Sequence, residues 1–413
     1  MNALPPYLTD ATLADTPGVG QQVIVLAKRT YAIRPHGIIV ASEQQPLQGD
    51  AEGDVREDRL VGAPQTELDY WPIKLLTDIV VLGKVHAPGG RPAYHMKASV
   101  SIGSHHKSIH VHGDRRVRIM PDGRLEFTYE EPFTEIPLTY FRAYGGIDTS
   151  VPLAEVADMV SLLAVFNPRH YPGAYPRNPA GTGYVVSNDP QLLHGLVLPN
   201  FEEPGRPLTP ENLVVRDPSQ WWRMPMPQGL GWVSPSWYPR SAHAGYIEHF
   251  PPRDDLAELP EVRMRLVTKH QHAHAASLDL AQRYNPLLAN GASPGLAVPY
   301  LKGNEPVHLR GLSPYGDIRF QLPGQRPNVQ IYYKRQPLRT TVAMHTLLIE
   351  PDHARFSLLW GARALTPRPL PVRQPNPRNP HHDPLEDVDI LVDGVLSRHE
   401  PIQGAHACGH SHA

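Results

Sequence analysis

The chain has 413 residues, with 39 Lys plus Arg against 41 Asp plus Glu and a formal net charge of -2. This balance gives no broad electrostatic attraction to nucleic acid or anionic membranes, and no apolar run reaches the roughly 18 residues that a membrane-spanning helix needs. The 47 prolines and 32 glycines exclude long helical bundles, because both residues interrupt helices. Cys408 is the single cysteine, so an internal disulfide is excluded.

Strand patterns dominate the sequence. Val23-Ile24-Val25 predicts a buried strand, and alternating apolar and polar residues from Tyr94 to Val117 predict a hairpin whose parity shifts at Gly103. A turn is predicted at Pro121-Asp122-Gly123. Other strand-like segments share β-branched or alternating residues and lie at Ile38–Val40, Ile79–Val85, Leu125–Tyr129, Val307–Leu309, Ile318–Leu322, Val329–Tyr333 and Phe356–Trp360.

Two segments favour helices. From Pro152 to Val165 the apolar residues fall on one stripe after a candidate cap at Ser150, and a shorter helix is predicted from Ala275 to Tyr284. We therefore predict a mainly β protein with one large domain of packed or curved antiparallel sheets over residues 20–365. Residues 1–19 are predicted to be an N-terminal lead, and residues 366–413 an extended Pro-rich linker and tail.

Histidines spaced two residues apart are candidate metal ligands, because alternate residues of a strand share one face. Such rows occur at His106, His110 and His112 and at His270, His272 and His274. Neither row has a cysteine or carboxylate at a diagnostic spacing, so exposed or cross-strand histidines are the favoured interpretation. The tail offers better ligand chemistry, an imidazole and thiolate set formed by His406, Cys408, His410 and His412.

Patterns for catalysis are weak. The sequence has no Gly-x-Ser-x-Gly elbow, and Gly181-Thr182-Gly183 lacks the lysine of a phosphate-binding loop. The paired carboxylates Glu130-Glu131 would point to opposite faces of a strand. The sequence therefore predicts a protein that is not an enzyme and needs no cofactor.

Five rigid motifs place Gly, Pro or Asn beside an aromatic residue or an arginine. They are His86–Pro92 (HAPGGRP), Pro137–Gly146 (PLTYFRAYGG), Arg177–Gly183 (RNPAGTG), Leu198–Glu202 (LPNFE) and Trp237–Arg240 (WYPR). Together they resemble a bacterial domain-of-unknown-function family found beside type VI secretion genes. The likeness includes Val23–Tyr31, the Gln44-Gln45-Pro46-Leu47 step and Leu301–Leu309, and it fades near Trp360.

The studied members of that family act as adaptors or chaperones that load toxic effectors onto the secretion spike. The resemblance thus implies a non-catalytic, cytoplasmic adaptor whose partners are an effector and the spike-tip protein. Two departures stand out: the family leads us to expect an acidic residue where His345 stands and an arginine where Gly361 stands.

Aromatic residues and arginines beside the rigid turns are candidates for partner binding, since these residue types concentrate binding energy at interfaces. They are Tyr140, Phe141, Arg142, Tyr144, Trp237, Tyr238 and Arg240. The alternative role for the aromatic residues is to close the ends of the β core. Two other functions stay open: a metal-dependent enzyme or metal-binding β protein that uses the paired histidines, and a structural component of the secretion apparatus.

Overall fold

The computed structural model describes residues 6–16, 20–49, 53–54, 62–71, 74–148, 150, 173–215, 218–235, 237–240, 286–368, 370, 385 and 387–396. Both predicted helices, at 152–165 and 275–284, lie outside these residues. So do the histidine row at 270–274 and the four candidate ligands of the tail, His406, Cys408, His410 and His412. The described part of the chain is mainly β, as predicted.

The strands of the first half are short except for β1, β2, β8 and β9. In chain order they are β1 (Leu8–Thr16), β2 (Gly20–Arg34), β3 (Gly37–Val40), β4 (Gly53–Asp54), β5 (Ala63–Pro64), β6 (Thr77–Val81), β7 (Lys84–His86), β8 (His95–Ile102), β9 (His105–His112), β10 (Val117–Ile119), β11 (Leu125–Phe127) and β12 (Glu135–Pro137).

The strands of the second half include two long ones that complete the main sheet. They follow as β13 (Tyr144–Gly145), β14 (Thr182–Gly183), β15 (Phe201–Glu202), β16 (Ala297–Val298), β17 (Pro306–Arg310), β18 (Ile318–Gln321), β19 (Val329–Tyr333), β20 (Gln336–Pro337), β21 (Thr341–Glu350), β22 (Arg355–Leu365), β23 (Val388–Val392) and β24 (Val395–Leu396).

The main sheet has the strand order β1-β2-β22-β21-β6-β16, with β3 also paired to β2. Strand β2 is buried on both faces from Gln21 to Ala32, and its apolar run Val23–Ala27 agrees with this burial. A second sheet has the order β15-β9-β8-β17-β18, and a third the order β20-β19-β23-β24. The predicted hairpin is confirmed as β8 and β9, and the predicted turn at 121–123 joins β10 to β11.

One hydrophobic core is shared by these three sheets. Val23 and Val25 of β2 and Phe356 and Leu358 of β22 belong to it, and Tyr31 stacks on Phe356 with ring centroids 5.1 Å apart. The inward residues of the other sheets complete it: Ala98, Val100, Ile109, Val111, Val307, Leu309, Ile331 and Ile390. A separate cluster rich in tyrosine and tryptophan lies beside it, and it includes Tyr144, Tyr175, Tyr184 and Trp221.

Helical segments are short among the described residues. The α-helix α1 (Pro190–Leu193) is capped by the Asp189 carboxylate, which accepts from Gln191 N at 2.9 Å. The 3-10 segments are Pro88–Gly90, Tyr140–Arg142, Pro218–Arg223, Pro286–Ala289 and Pro351–His353. All but one of these six segments start at a proline, whose fixed φ suits the first helical position. No described helix has the length and apolar character of a membrane span.

The structure differs from the predicted domain limits at both ends. Strand β1 pairs with β2 over nine residues, inside the segment predicted to be a lead. Beyond residue 365, β23 pairs with β19, and Ile390 and Val392 bury their side chains in the shared core. The period-two pattern of Val388, Ile390 and Val392 is a strand signal that the surrounding proline-rich composition concealed.

Two details of the predicted strands also differ. The predicted strand Ile79–Val85 is divided into β6 and β7 at Gly83, whose φ of 141° interrupts the ladder. The sheets are mostly antiparallel as predicted, but β21 pairs with β6 in parallel, and so does β13 with β14.

Candidate functional site

Six of the seven predicted partner-binding side chains are buried. Tyr140, Phe141, Tyr144, Trp237, Tyr238 and Arg240 are each exposed by 5% or less, and only Arg142 is half-buried. Tyr140 meets Trp237 edge-on with ring centroids 5.4 Å apart, and burial raises the pKa of its phenol. Tyr238 packs edge-on against Trp221 in the second cluster. The aromatic residues thus occupy core positions, the alternative role, and could reach a partner only if the core opened.

Asn178 connects two of the rigid motifs. Its buried Nδ2 donates to the carbonyl of Tyr140 at 2.8 Å and to that of Tyr144 at 3.1 Å. The backbone carbonyl of Asn178 accepts from Gly146 N at 2.8 Å. A Cβ on Gly145 would lie 2.1 Å from that carbonyl oxygen, so only glycine fits there. The Pro137–Gly146 and Arg177–Gly183 motifs therefore form one interlocked unit.

Replacing Asn178 with alanine is expected to lower the free energy of unfolding by about 2 kcal/mol, because buried carbonyls lose their donor. Urea unfolding measures the effect. Asn328→Ala removes an exposed asparagine and is expected to change stability by less than about 0.5 kcal/mol. Equal stabilities for the two variants would show that the interlocked unit does not depend on the amide of Asn178.

Arg142 links a third motif to the same unit. Its Nη1 donates to Asn200 Oδ1 at 2.9 Å and pairs with Asp114 Oδ1 at 3.0 Å, while Asn200 Nδ2 donates to the carbonyl of His112. This half-buried guanidinium fixes the Leu198–Glu202 motif to the end of β9. Its accessible part is the one surface of the predicted set that a partner can reach.

The face of the main sheet that is turned away from the shared core carries polar residues beside the apolar cluster Ile24, Leu26 and Leu359, and we call it the polar face. It is formed by the alternate residues Lys28 and Thr30 of β2, Ser357 of β22, Thr346 of β21 and Asp78 of β6. The described residues Gln44–Pro46 and Asp69 contact it. Gln44 holds this segment in place, since its side chain accepts from Thr30 N at 2.8 Å and donates to the carbonyls of Thr30 and Ala41.

Three buried ion pairs lie on this side of the main sheet. Lys28 pairs with Asp69 at 2.9 Å, Lys74 with Asp78 at 2.7 Å, and Arg240 with Glu67 at 2.6 Å, and all six side chains are exposed by 9% or less. Each is tied to the backbone as well: Lys28 donates to the carbonyl of Pro46, and Asp78 accepts from Gly291 N. Buried charges persist only when paired and hydrogen-bonded in this way.

Two cavities open on the polar face. The first, of about 210 Å³, lies between Lys28, Glu67, Trp232 and Glu350. Its charged groups are already paired, Glu350 with Arg355 at 2.7 Å. The second, of about 230 Å³, lies where β21 bulges between Met344 and Thr346. The bulge brings His345 over Gly361, so the two departures from the family pattern are neighbours in space.

The predicted histidine row lies on the outward face of the second sheet, which we call the outer face. His106, His110 and His112 of β9 share this face with His95 and Lys97 of β8, as the register requires. Glu130 bridges His112 Nδ1 at 2.6 Å and His95 Nδ1 at 2.9 Å. Burial raises the pKa of Glu130, but the hydrogen bonds from His112 and His95 outweigh it and hold that pKa below its usual range.

The outer-face histidines are held by local partners. Burial and the charge of Arg115 lower the pKa of His112, which favours a neutral imidazole that donates to Glu130. His106 Nδ1 lies 2.8 Å from Ser101 Oγ. Within the residues that the structure describes, no three His, Cys, Asp or Glu side chains converge as metal ligands.

A bacterial family model, described as an uncharacterized protein conserved in bacteria (DUF2169), matches residues 19–361. The chain belongs to the DUF2169 family. The match begins one residue before β2, contains all five rigid motifs and ends at Gly361. Strands β1, β23 and β24 lie outside it. No curated protein and no solved structure is significantly similar to this DUF2169 member.

Sequence reasoning missed the polar face of this DUF2169 protein. The ion-pair partners lie 41 residues apart for Lys28 and Asp69 and 173 apart for Arg240 and Glu67, so spacing gives no sign of them. One signal was present: Lys28 directly follows the apolar run Val23–Ala27 of the predicted buried strand. A charge in a strand that is buried on both faces predicts a partner without identifying it.

Proposed function

We propose that this protein is a non-catalytic adaptor or chaperone that binds a type VI secretion effector and helps to load it onto the secretion spike. The DUF2169 match supports the resemblance to a bacterial family of unknown function. The secretion role is inferred from that resemblance. The observation that carries a protein-binding function is the exposure of three tyrosines toward one end of the second sheet. Binding would be stoichiometric, with cargo held by surface contacts rather than transformed.

Tyr94, Tyr129 and Tyr315 are 59%, 96% and 82% exposed. Tyr94 immediately precedes β8, Tyr129 adjoins the Glu130 bridge to His95 and His112, and Tyr315 lies in the turn after β17. Strand β8 runs antiparallel to both β9 and β17, so the start of β8, the end of β9 and the turn after β17 lie toward the same end of the sheet. Exposed tyrosines of this kind provide apolar area with a hydrogen-bonding tip, which favours protein partners.

The charge of the outer face indicates which side chains a partner segment would carry. Lys97, Arg310 and Arg319 are exposed on three neighbouring strands, and Asp317 pairs with Arg310 at 3.5 Å and with His308 at 3.2 Å. Strands β8, β17 and β18 contain no aspartate or glutamate, so these three cations outnumber Asp317, whereas Glu130 lies on the β9 side of the outer face. An effector segment with acidic side chains would fit this face by charge complementarity.

The test measures capture of the effector encoded beside this chain. Affinity for the purified effector is expected to fall about tenfold or more in the double variant Tyr129→Ala/Tyr315→Ala, because solvent-exposed aromatic anchors are lost without disturbing the core. Ile39→Ser replaces an apolar side chain on β3 that is 54% exposed and serves as the matched control. Thermal unfolding checks that all variants are folded.

Three outcomes would contradict the proposal. They are no capture of any neighbouring effector, equal loss of affinity in the double variant and in Ile39→Ser, and multiple-turnover chemistry by the purified chain. A component of the secretion apparatus would be recovered in assembled or secreted particles, whereas an adaptor is expected to stay in the producing cell.

A further inference from the structure

The second cavity on the polar face has the features of a small-ligand site. It measures about 230 Å³ and is lined by six residues that carry the argument, Lys74, Tyr300, Thr341, His345, Gly361 and Arg363. Lys74 and His345 are buried, whereas Thr341 is exposed and Tyr300 is 42% exposed. The cavity therefore has a buried floor and a mouth toward solvent.

Gly361 and the bulge of β21 create this space together. His345 is the extra residue of the bulge, between Met344, which pairs with Trp360, and Thr346, which pairs with Leu359. Its ring fills the volume that a side chain at residue 361 would occupy, since a Cβ there would lie 1.9 Å from His345 Cε1. A bulge commonly redirects one side chain in this manner, often beside functional sites.

The cavity is electropositive. Its lining contains no aspartate or glutamate. Among the described residues, no carboxylate lies within ion-pair distance of Arg363, whose Nε makes a long 3.4 Å hydrogen bond to Thr341 Oγ1. Lys74 uses two of its three N–H groups, on Asp78 at 2.7 Å and on Thr346 Oγ1 at 3.2 Å. Asp78 lies behind Lys74 and balances its charge, which leaves one uncompensated cation at Arg363.

Several buried polar atoms of the described residues lack a hydrogen-bond partner, and His345 is the residue among them that lines this cavity. Its Nδ1 is buried and has no hydrogen-bond partner in the described structure. Burial and the charges of Lys74 and Arg363 lower its pKa to about 3, so the imidazole is neutral at physiological pH. A buried polar atom without a partner costs about 1–3 kcal/mol. A bound ligand is one way to recover that cost.

We propose that this cavity binds a carboxylate group. One oxygen would accept from the Arg363 guanidinium, whose planar fork suits a carboxylate, and the other from the floor donors Lys74 and His345. A single uncompensated cation matches a monoanion better than a phosphate dianion. The volume suits a short acid or one residue of a polypeptide. The site does not depend on the adaptor function, because it lies on the main sheet and not on the outer face.

Calorimetric titration of the whole protein with sodium butyrate tests the proposal. We expect saturable 1:1 binding that is absent with butyramide, which has the same shape without the charge, and weaker binding of inorganic phosphate. Arg363→Gln is expected to weaken butyrate binding at least about tenfold. Arg34→Gln, an exposed arginine at the end of β2, is the matched control and is expected to bind as the unaltered protein does.

Nitrogen chemical shifts of the His345 imidazole give a second measurement that does not depend on the stability of a variant. They are assigned by their loss in His345→Gln. Butyrate is expected to shift them and butyramide to leave them unchanged. No binding of butyrate, equal binding of butyramide, tighter binding of phosphate, or an unchanged affinity in Arg363→Gln would each overturn the proposal.

The source of the carboxylate is resolved by a pair of tripeptides with a free or an amidated C-terminus. Tighter binding of the free acid peptide than of butyrate would place a polypeptide terminus in the site, and weaker binding would favour a small free acid. Both results, tighter or weaker binding of the free acid peptide than of butyrate, agree with a carboxylate site. Equal binding of the free and amidated peptides, in the absence of butyrate binding, would reject it.

Discussion

Replacing Arg240 with methionine is expected to lower the free energy of unfolding by about 3–5 kcal/mol. The guanidinium is 4% exposed and donates to Glu67 Oε2 at 2.6 Å, to the carbonyl of Leu288 at 2.7 Å and to that of Val233. Methionine has a similar length but leaves the Glu67 carboxylate, 3% exposed, without its cation. An unpaired buried charge is among the costliest single defects in a folded protein.

Urea unfolding followed by tryptophan fluorescence measures this loss. Arg319→Met removes an exposed arginine and is expected to stay within about 0.5 kcal/mol of the unaltered protein. The double variant Glu67→Leu/Arg240→Met removes both charges and is expected to recover much of the stability, because no buried charge is left alone. If Arg240→Met were as stable as Arg319→Met, the ion pair of Arg240 and Glu67 would add nothing to the stability of the fold.

Gly361→Ala is expected to destabilise the protein by about 3 kcal/mol, the upper part of the range for overpacking a core. The new Cβ would lie 1.9 Å from Cε1 and 2.3 Å from Nε2 of His345. The ring is 7% exposed and must leave its position over residue 361, toward the cavity that it lines, if the new Cβ is to fit. Gly49→Ala is the matched control, since a Cβ there meets no atom within 4 Å.

Adding His345→Ala to Gly361→Ala is expected to remove most of the loss of stability that Gly361→Ala causes, because the imidazole that clashes with the new Cβ is gone. The two substitutions would then be strongly non-additive in a double-mutant cycle, because each single change alters the same contact. Thermal and urea unfolding of the four proteins of the cycle measure the coupling. Additive effects would mean that the imidazole does not occupy the space above Gly361.

The strands were predictable where the pattern was long or its turn was marked. Val23-Ile24-Val25 led to β2, and the alternation interrupted at Gly103 led to β8 and β9. The limits of the domain were not predictable, because β1 has few apolar residues and β23 is stabilised by pairing with β19, which lies far away in sequence. Short strands with few apolar residues carry little local signal.

For the predicted site residues, the rigidity of the motifs was predictable but the orientation of their aromatic side chains was not. The motif around Tyr140 and the motif around Asn178 were recognised as rigid, and the structure locks them together through the amide of Asn178. Their rigidity does not tell whether an adjoining aromatic ring points inward or outward. Trp237 and Tyr238 point into the core, while Tyr129 and Tyr315, which no motif marks, are among the most exposed side chains.

The amino-acid sequence alone determined that this protein is built from strands and tight turns, since proline, glycine and period-two alternation act through local backbone geometry. Only the tertiary structure decided which charges are paired, which aromatic rings are buried and that His345 lies over Gly361. These features join residues that are distant along the chain, and burial and electrostatic pairing depend on three-dimensional neighbours that no local pattern specifies.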